Sequence, residues 1–393
     1  MATQVPEVDQ IKVQIKDEFF ISMAKKGIHS FVMLGVVQSD GSARLLARVG
    51  KTNYVDPSQS QAMLIYKEVA GSGALAFLAD EGISRRQDFS ETIQHQTYAI
   101  TYDQAKQFLG LMLKIQKSQF SDPMMRKALV RGEAKLLDND KLVSAIDKLG
   151  EGNIDTLDVD TLEAFNKMEE SMKIRCYLPV SEENGEVTFK IKPLSDFEDQ
   201  SEASAEAKVA ISTVNKIQLS NTCRTTALNI LECILGFKTD ISRYFFISPK
   251  YQATLTGGQP KQPFIILPPP PESYTNVSKE QKSVLHKLYK RLEQVSTTHT
   301  DDPKTKVKFD KLKALYKNIA GNNTLNANQL LIEIIKHESK ELYEKRSPNF
   351  LSRLLLIKST TERVFDQMKT ELKKISGPKN AGENEPKNPP KSG

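Results

Sequence analysis

Tryptophan is absent from the 393 residues, and aromatic residues make up only 7%. That excludes the dense stacking platform of a single-strand nucleic-acid binder. Cysteine is almost as scarce. Cys176, Cys223 and Cys233 are the whole set of three, too few and too odd in number for a disulfide framework. They fit a reducing compartment, in which thiols stay free. None forms a CxxC pair or a Cys/His cluster, so neither a structural zinc nor any other metal or cofactor is expected. No apolar run approaches about 20 residues, so no membrane-spanning helix is expected. The opening MATQVPEVDQIKVQIKDEFF is polar and acidic, with no signal-peptide pattern. Charge of one sign is lacking too: 55 basic against 49 acidic side chains leave +6, which does not point to nucleic acid. What remains is an ordinary soluble composition, 39% apolar and 26% charged, long enough for two or three domains.

The first half alternates in the manner of an antiparallel sheet. Ile11, Val13 and Ile15 predict a short strand. Residues 28–37 are a strongly apolar strand opening beside His29, Ser39–Ser42 carry the Asp-Gly turn signature, and 43–49 return as its hairpin partner. Residues 61–69 read equally as strand or helix. Residues 94–100 predict a strand running into a helix that Thr101 and Gln104 open as a capping box. From 118 to about 171 the pattern is helical and charged. Residues 173–179 and 185–192 predict two strands about the turn at Asn184-Gly185. Residues 196–207 read as an exposed acidic loop, 209–219 as a strand, and 243–247 as another.

The stretch Ser220-Asn221-Thr222-Cys223-Arg224-Thr225-Thr226 is the chemical centre of gravity. A helix with apolar positions at Ala227, Leu228, Ile230, Leu231, Ile234 and Leu235 opens on a cysteine. Asn221 or Thr222 is placed to cap it. A thiol on the first turn faces the unpaired amide ends of the peptide dipoles, which favours the nucleophilic thiolate. Arg224 reads as a charge on the helix surface. A nucleophilic cysteine needs a base and a group that orients the base. Among five histidines, His286, His299 and His337 fall in a helical, charged second half. His29 starts the apolar hairpin strand and is the preferred base. The orienting group is expected from the adjoining sheet, with Arg48, Asn53, His95 and Gln96 all open.

The order of these pieces resembles circularly permuted papain-like folds of the NlpC/P60 and lecithin-retinol-acyltransferase type, in which a histidine strand precedes a cysteine helix. The likeness spans roughly residues 27–236. It implies an α+β domain with an antiparallel sheet, Cys223 as nucleophile, His29 as base, and an oxyanion site at the Cys223 amide, with Asn221 and Thr222 in support. The relatives often have Asn directly before Cys; here Thr222 intervenes. The chain as a whole also resembles effectors that intracellular bacteria of the Legionella type inject into host cells. That resemblance implies synthesis in the bacterial cytoplasm and transfer to the host cytosol.

These readings predict a papain-like α+β domain over 1–267 with a helical insertion at about 118–206. A proline-rich linker over 268–275, a helical bundle over 276–376 and a disordered tail over 377–393 complete the chain. Leucine stripes at Leu285, Leu288 and Leu292, and at Leu330, Ile334 and Ile335, carry the bundle. The expected activity is that of a thiol protease, hydrolase or acyl/amide transferase acting on a host protein. One alternative is a non-catalytic protein that binds a host partner through its helical domain. Another is a degenerate peptidase fold kept as a scaffold.

Overall fold

A computed structural model describes residues 10–53, 74–122, 173–199, 204–218, 220–261, 264–297, 302–322, 324–344 and 358–376. The chain divides into two compact units, Met1–Pro269 and Pro270–Gly393.

The first unit is mixed α+β with antiparallel sheets. Strand β1 spans Ile11–Gln14, β2 Glu18–Lys26, β3 His29–Val37, β4 Ala43–Asn53, β5 Ala74–Asp80 and β6 Ser90–Ile100. Helix α1 follows over Tyr102–Ser121, closed at its start by the reciprocal Thr101/Gln104 box. Strands β7 (Arg175–Glu183) and β8 (Glu186–Pro193) form a hairpin. Helix α2 (Ala205–Ser212), the two-residue β9 (Lys216–Ile217), helix α3 (Cys223–Leu235), β10 (Tyr251–Thr256) and β11 (Gln259–Pro260) complete it.

Eight strands lie in the order β11-β10-β6-β2-β3-β4-β5-β9, and three more in the order β1-β8-β7. The central strands β2 and β3 are buried almost throughout, from Phe19 to Lys25 and from Ser30 to Val36. Such strands lack clean alternation because both of their faces are covered. At the β3–β4 turn, Asp40 Oδ1 accepts from the Ser42 amide at 2.8 Å, the Asx geometry that the Asp-Gly pair favours. Helix α3 packs on β2, β3 and β4, with α1 and α2 alongside it.

Several segments differ from the sequence reading. The run 209–219 is not a strand. Ala205–Ser212 is helical, started by the Ser204 hydroxyl accepting from the Ala207 amide at 3.1 Å, and only Lys216–Ile217 pair as a strand. Helix-forming Ala, Glu and Lys residues ahead of Val209 outweigh the strand preference of Val209 and Ile211. The same helix shortens the loop expected over 196–207. Residues 243–247 form a turn with exposed side chains rather than a strand. The two strands expected over 173–179 and 185–192 do form the β7–β8 hairpin, which pairs with β1, so the insertion expected over 118–206 is not wholly helical. The readings for 61–69, for 123–171 and for the tail 377–393 lie outside the described residues.

In the second unit, helices α4 (Lys279–Ser296), α5 (Pro303–Gly321), α6 (Ala327–His337), α7 (Lys340–Tyr343) and α8 (Thr360–Ser376) occupy the described residues. Leu285, Leu288 and Leu292 are fully buried, as are Leu330 and Ile334. Ile335 is half exposed, so the second stripe is narrower than its spacing suggests. Helices α6 and α7 are separated by a break at Glu338 and Ser339. Among the described residues no helix is long and apolar enough to cross a membrane.

Candidate active site

Helix α3 begins at Cys223 because Thr222 caps it. The Thr222 hydroxyl accepts from the Thr225 amide at 3.3 Å, and Gly236 closes the far end at φ 74°, a conformation glycine adopts without strain. Asn221 does not cap. Its Nδ2 donates to the carbonyls of Thr213 at 2.7 Å and Lys216 at 3.0 Å, pinning the loop that enters the helix. Buried Lys51 grips the same loop, donating to Thr213 O at 2.7 Å, to Lys216 O, and to Asn221 O and Oδ1 at 3.2 and 3.1 Å. Burial pushes the Lys51 amine down to about 7, whereas four oxygen acceptors favour its ammonium form.

Cys223 is half-buried. Its sulfur accepts from the Ser30 amide at 3.4 Å, and the His29 ring and the Arg224 amide beside it favour the thiolate. His29 Nε2 in turn lies 2.7 Å from Glu81 Oε1. An imidazole has two ring nitrogens, so the Glu81 contact leaves Nδ1 for the thiol. The arrangement is a continuous chain of acid, imidazole and thiol.

The sheet register explains how Glu81 reaches His29 from two strands away. In the ladder, Gly50 on β4 is paired with Phe31 on one side and Ala79 on the other. His29 lies two residues before Phe31 and Glu81 two residues after Ala79. By the two-residue alternation of strands, each shares the face of its neighbour. Their side chains meet over Gly50. A Cβ at that position would stand 2.3 Å from Glu81 Oε1 and 2.8 Å from His29 Nε2, so glycine keeps the channel open. The Glu81 amide is fixed by donating to Arg48 O at 2.9 Å.

The electrostatics follow from this geometry. Burial alone would depress the His29 imidazolium, but its hydrogen bonds to Cys223 and Glu81 outweigh burial and raise it to about 9. Burial likewise opposes the thiolate. The His29 bond, the Ser30 amide and the imidazolium charge together bring the Cys223 thiol below its ordinary value. Each partner thus favours the charged form of the other.

No family model, curated protein or solved structure matches this chain. The site therefore rests on its own geometry.

The other positions open in the sequence have different partners. Arg48 is buried, forms a 2.5 Å ion pair with Glu91 and lies over the Phe31 ring at 4.5 Å; its carbonyl, not its guanidinium, serves the site. His95 is bonded to the Thr97 hydroxyl at 2.8 Å and stacked on Phe264 at 4.0 Å. Gln96 donates to Tyr98 and to Asp240 Oδ1 at 2.6 and 2.8 Å. Asn53 ends β4, paired in register with Ala76. Arg224 is not a surface charge. It is fully buried, with Nε donating to Ser242 O at 2.5 Å and Nη1 and Nη2 without a hydrogen-bond partner among the described residues.

Glu81 is the group that sequence reasoning missed. It follows a small apolar run and opens the turn Glu81-Gly82, which reads as ordinary punctuation. Only the pairing of β4 with β5, unknowable from the sequence, brings it to the face of the sheet that carries His29. Among the described residues no group of His, Cys, Asp and Glu is arranged to hold a metal ion.

Proposed function

We propose that this chain is a cysteine-dependent hydrolase or acyl/amide transferase with a permuted papain-like arrangement. Cys223 is the nucleophile, His29 the acid–base group and Glu81 the group that orients His29. The observation that carries the reading is the placement of Cys223, at a helix start, beside a His29 ring that is hydrogen-bonded to Glu81. A nucleophile, a base and an orienting group within hydrogen-bond reach are what this chemistry requires.

In the reaction, the Cys223 thiolate attacks a carbonyl carbon and forms a C–S bond. The carbonyl electron pair moves to oxygen. The Cys223 amide, at the first helical position, has no intrahelical acceptor and is assigned to that oxyanion. His29 gives its proton to the leaving amine as the C–N bond breaks, leaving a thioester. Water, or an acceptor amine in a transferase, then attacks the thioester and passes its proton to His29. The thiolate leaves and the ion pair is restored.

The effector resemblance makes a host protein in the cytosol the substrate. Three free cysteines suit that reducing setting. The test is the pH profile of Cys223 alkylation, read by peptide mapping in wild type and His29→Ala, followed by peptide and ubiquitin-like electrophilic probes. A thiol titrating below about 8.5 that loses this property without His29 supports the reading. An ordinary thiol unaffected by the substitution overturns it.

A second reading, a host-protein binder, draws on α6. Ile332 and Ile335 lie three apart on that helix and are 61% and 50% exposed, an apolar pair of the kind helix-in-groove contacts use. It would take precedence if Cys223 proved inert.

A further inference from the structure

Four successive large apolar side chains stand exposed on the turn after α3. Tyr244, Phe245, Phe246 and Ile247 are 66%, 47%, 66% and 43% accessible. The Tyr244 and Phe246 rings stack at 5.6 Å, and Phe245 meets Phe246 edge-on at 5.7 Å. A single exposed apolar side chain is commonplace, but a contiguous cluster marks an interaction site. Small ligands are held in concave pockets. Consecutive residues this accessible project from the surface instead, which suits a broad apolar phase.

The backbone of the turn is already committed. Tyr244 O accepts from the Ile247 amide at 3.1 Å, and Phe246 O from Lys25 Nζ at 3.4 Å. The turn therefore does not offer the free strand edge that peptide addition to a sheet uses. Its flanks carry a small positive excess: Lys238 and Arg243 share Glu232, and Lys250 pairs with Asp240, three cations less two acids giving +1. Aromatic rings beside Lys and Arg form the composition that settles at a lipid headgroup boundary.

The turn is also tied to the cysteine. Arg224, next to Cys223, holds Ser242 O. Lys25, which holds Phe246 O and reaches Ser248 Oγ at 3.4 Å, is paired in register with Ser30. The Ser30 amide is the one that faces the Cys223 sulfur.

We propose that the 243–250 turn is an interfacial anchor that seats the unit bearing Cys223 on a lipid bilayer with anionic headgroups. The anchor stands independently of the chemistry assigned to Cys223, because binding is read without a substrate.

The absence of tryptophan makes the test direct. In the full chain, Phe246→Trp introduces a single indole. Its emission should move to shorter wavelength on adding phosphatidylcholine vesicles containing phosphatidylserine, and move less with phosphatidylcholine alone. Co-sedimentation of the wild type with the mixed vesicles should weaken at least about ten-fold in Tyr244→Ser/Phe246→Ser, since burying each ring is worth more than one tenfold step. Both substitutions are on exposed positions, so the fold should survive, which circular dichroism checks. Cys223→Ala should sediment like wild type. An unshifted indole, wild type left in the supernatant, or undiminished sedimentation of the double variant would overturn the anchor. Loss of activity on a soluble protein substrate without vesicle binding would instead mark the turn as a protein-docking surface.

Discussion

His29 and His95 sit two strands apart in one sheet and have opposite fates. Both pair in register with β2, His29 with Lys26 and His95 with Ala24. His29, at the strand end, has an anionic partner on each side and is raised to about 9. His95 is enclosed between Tyr251 and Phe264, and burial with no charged partner pushes it down to about 3. One imidazole is held as a cation between a thiol and a carboxylate, and the other is kept neutral by its packing. Burial acts on both; what separates them is whether a counter-charge is within reach.

The sharpest way to break that contrast is to truncate each ring. His29→Ala should slow Cys223-dependent turnover or alkylation at neutral pH by about 10²–10⁴-fold. His95→Ala should leave the alkylation profile in place and cost a few kcal/mol in chemical denaturation, on the order of other core aromatic truncations. Matching effects from the two variants would remove the distinction.

Gly50→Ala comes next. Its methyl group would press on both Glu81 Oε1 and His29 Nε2. Thiol reactivity should fall to the level of Glu81→Ala, and the double variant should fall no further, since the two substitutions remove one interaction. Additive losses, measured as alkylation rates, would mean that Gly50 acts elsewhere.

The two histidines also give opposite pH dependences of stability. The folded-state value of His29, about 9, lies above its unfolded value near 6.5. Its contribution is therefore complete below about 6.5 and is lost as pH rises through about 9. The folded-state value of His95, about 3, lies below the same reference. Acidification from about 6.5 toward 3 protonates the unfolded chain first and lowers stability. Thermal melts across pH should lose their alkaline slope in His29→Ala and part of their acid slope in His95→Phe. The smallest effect is expected at Cys233, half-buried on the same helix as Cys223. Cys233→Ala should spare thiol chemistry and cost no more than about 1–2 kcal/mol, read from denaturant midpoints.

Much of this was legible in the residues. The Asp-Gly hairpin, the Thr101 capping box and the apolar stripe behind Cys223 are local signals, and local signals survive without the fold. His29 could be singled out because it opens an apolar strand beside a glycine. Glu81 could not, since its role depends on β4 lying between it and His29. Arg224 misled for a related reason: a charge on the first helical turn reads as solvated unless the 237–250 turn that covers it is known. The 205–212 helix was obscured by Val209 and Ile211, whose strand preference is weaker than the cap at Ser204.

The partners in the candidate site are far apart along the chain: His29 and Glu81 are 52 positions apart, and Ser30 and Cys223 are 193 positions apart. During synthesis the imidazole and the carboxylate leave the ribosome long before the thiol. Until Cys223 has been made, the nascent chain carries the proposed base without the proposed nucleophile, and on that reading the thiol is ordinary until the β3–β4–β5 ladder has closed around Gly50. Contacts so distant in sequence form late in folding. On the proposed reading the chain is therefore chemically silent while it is being made, and reactivity is a property of the finished sheet.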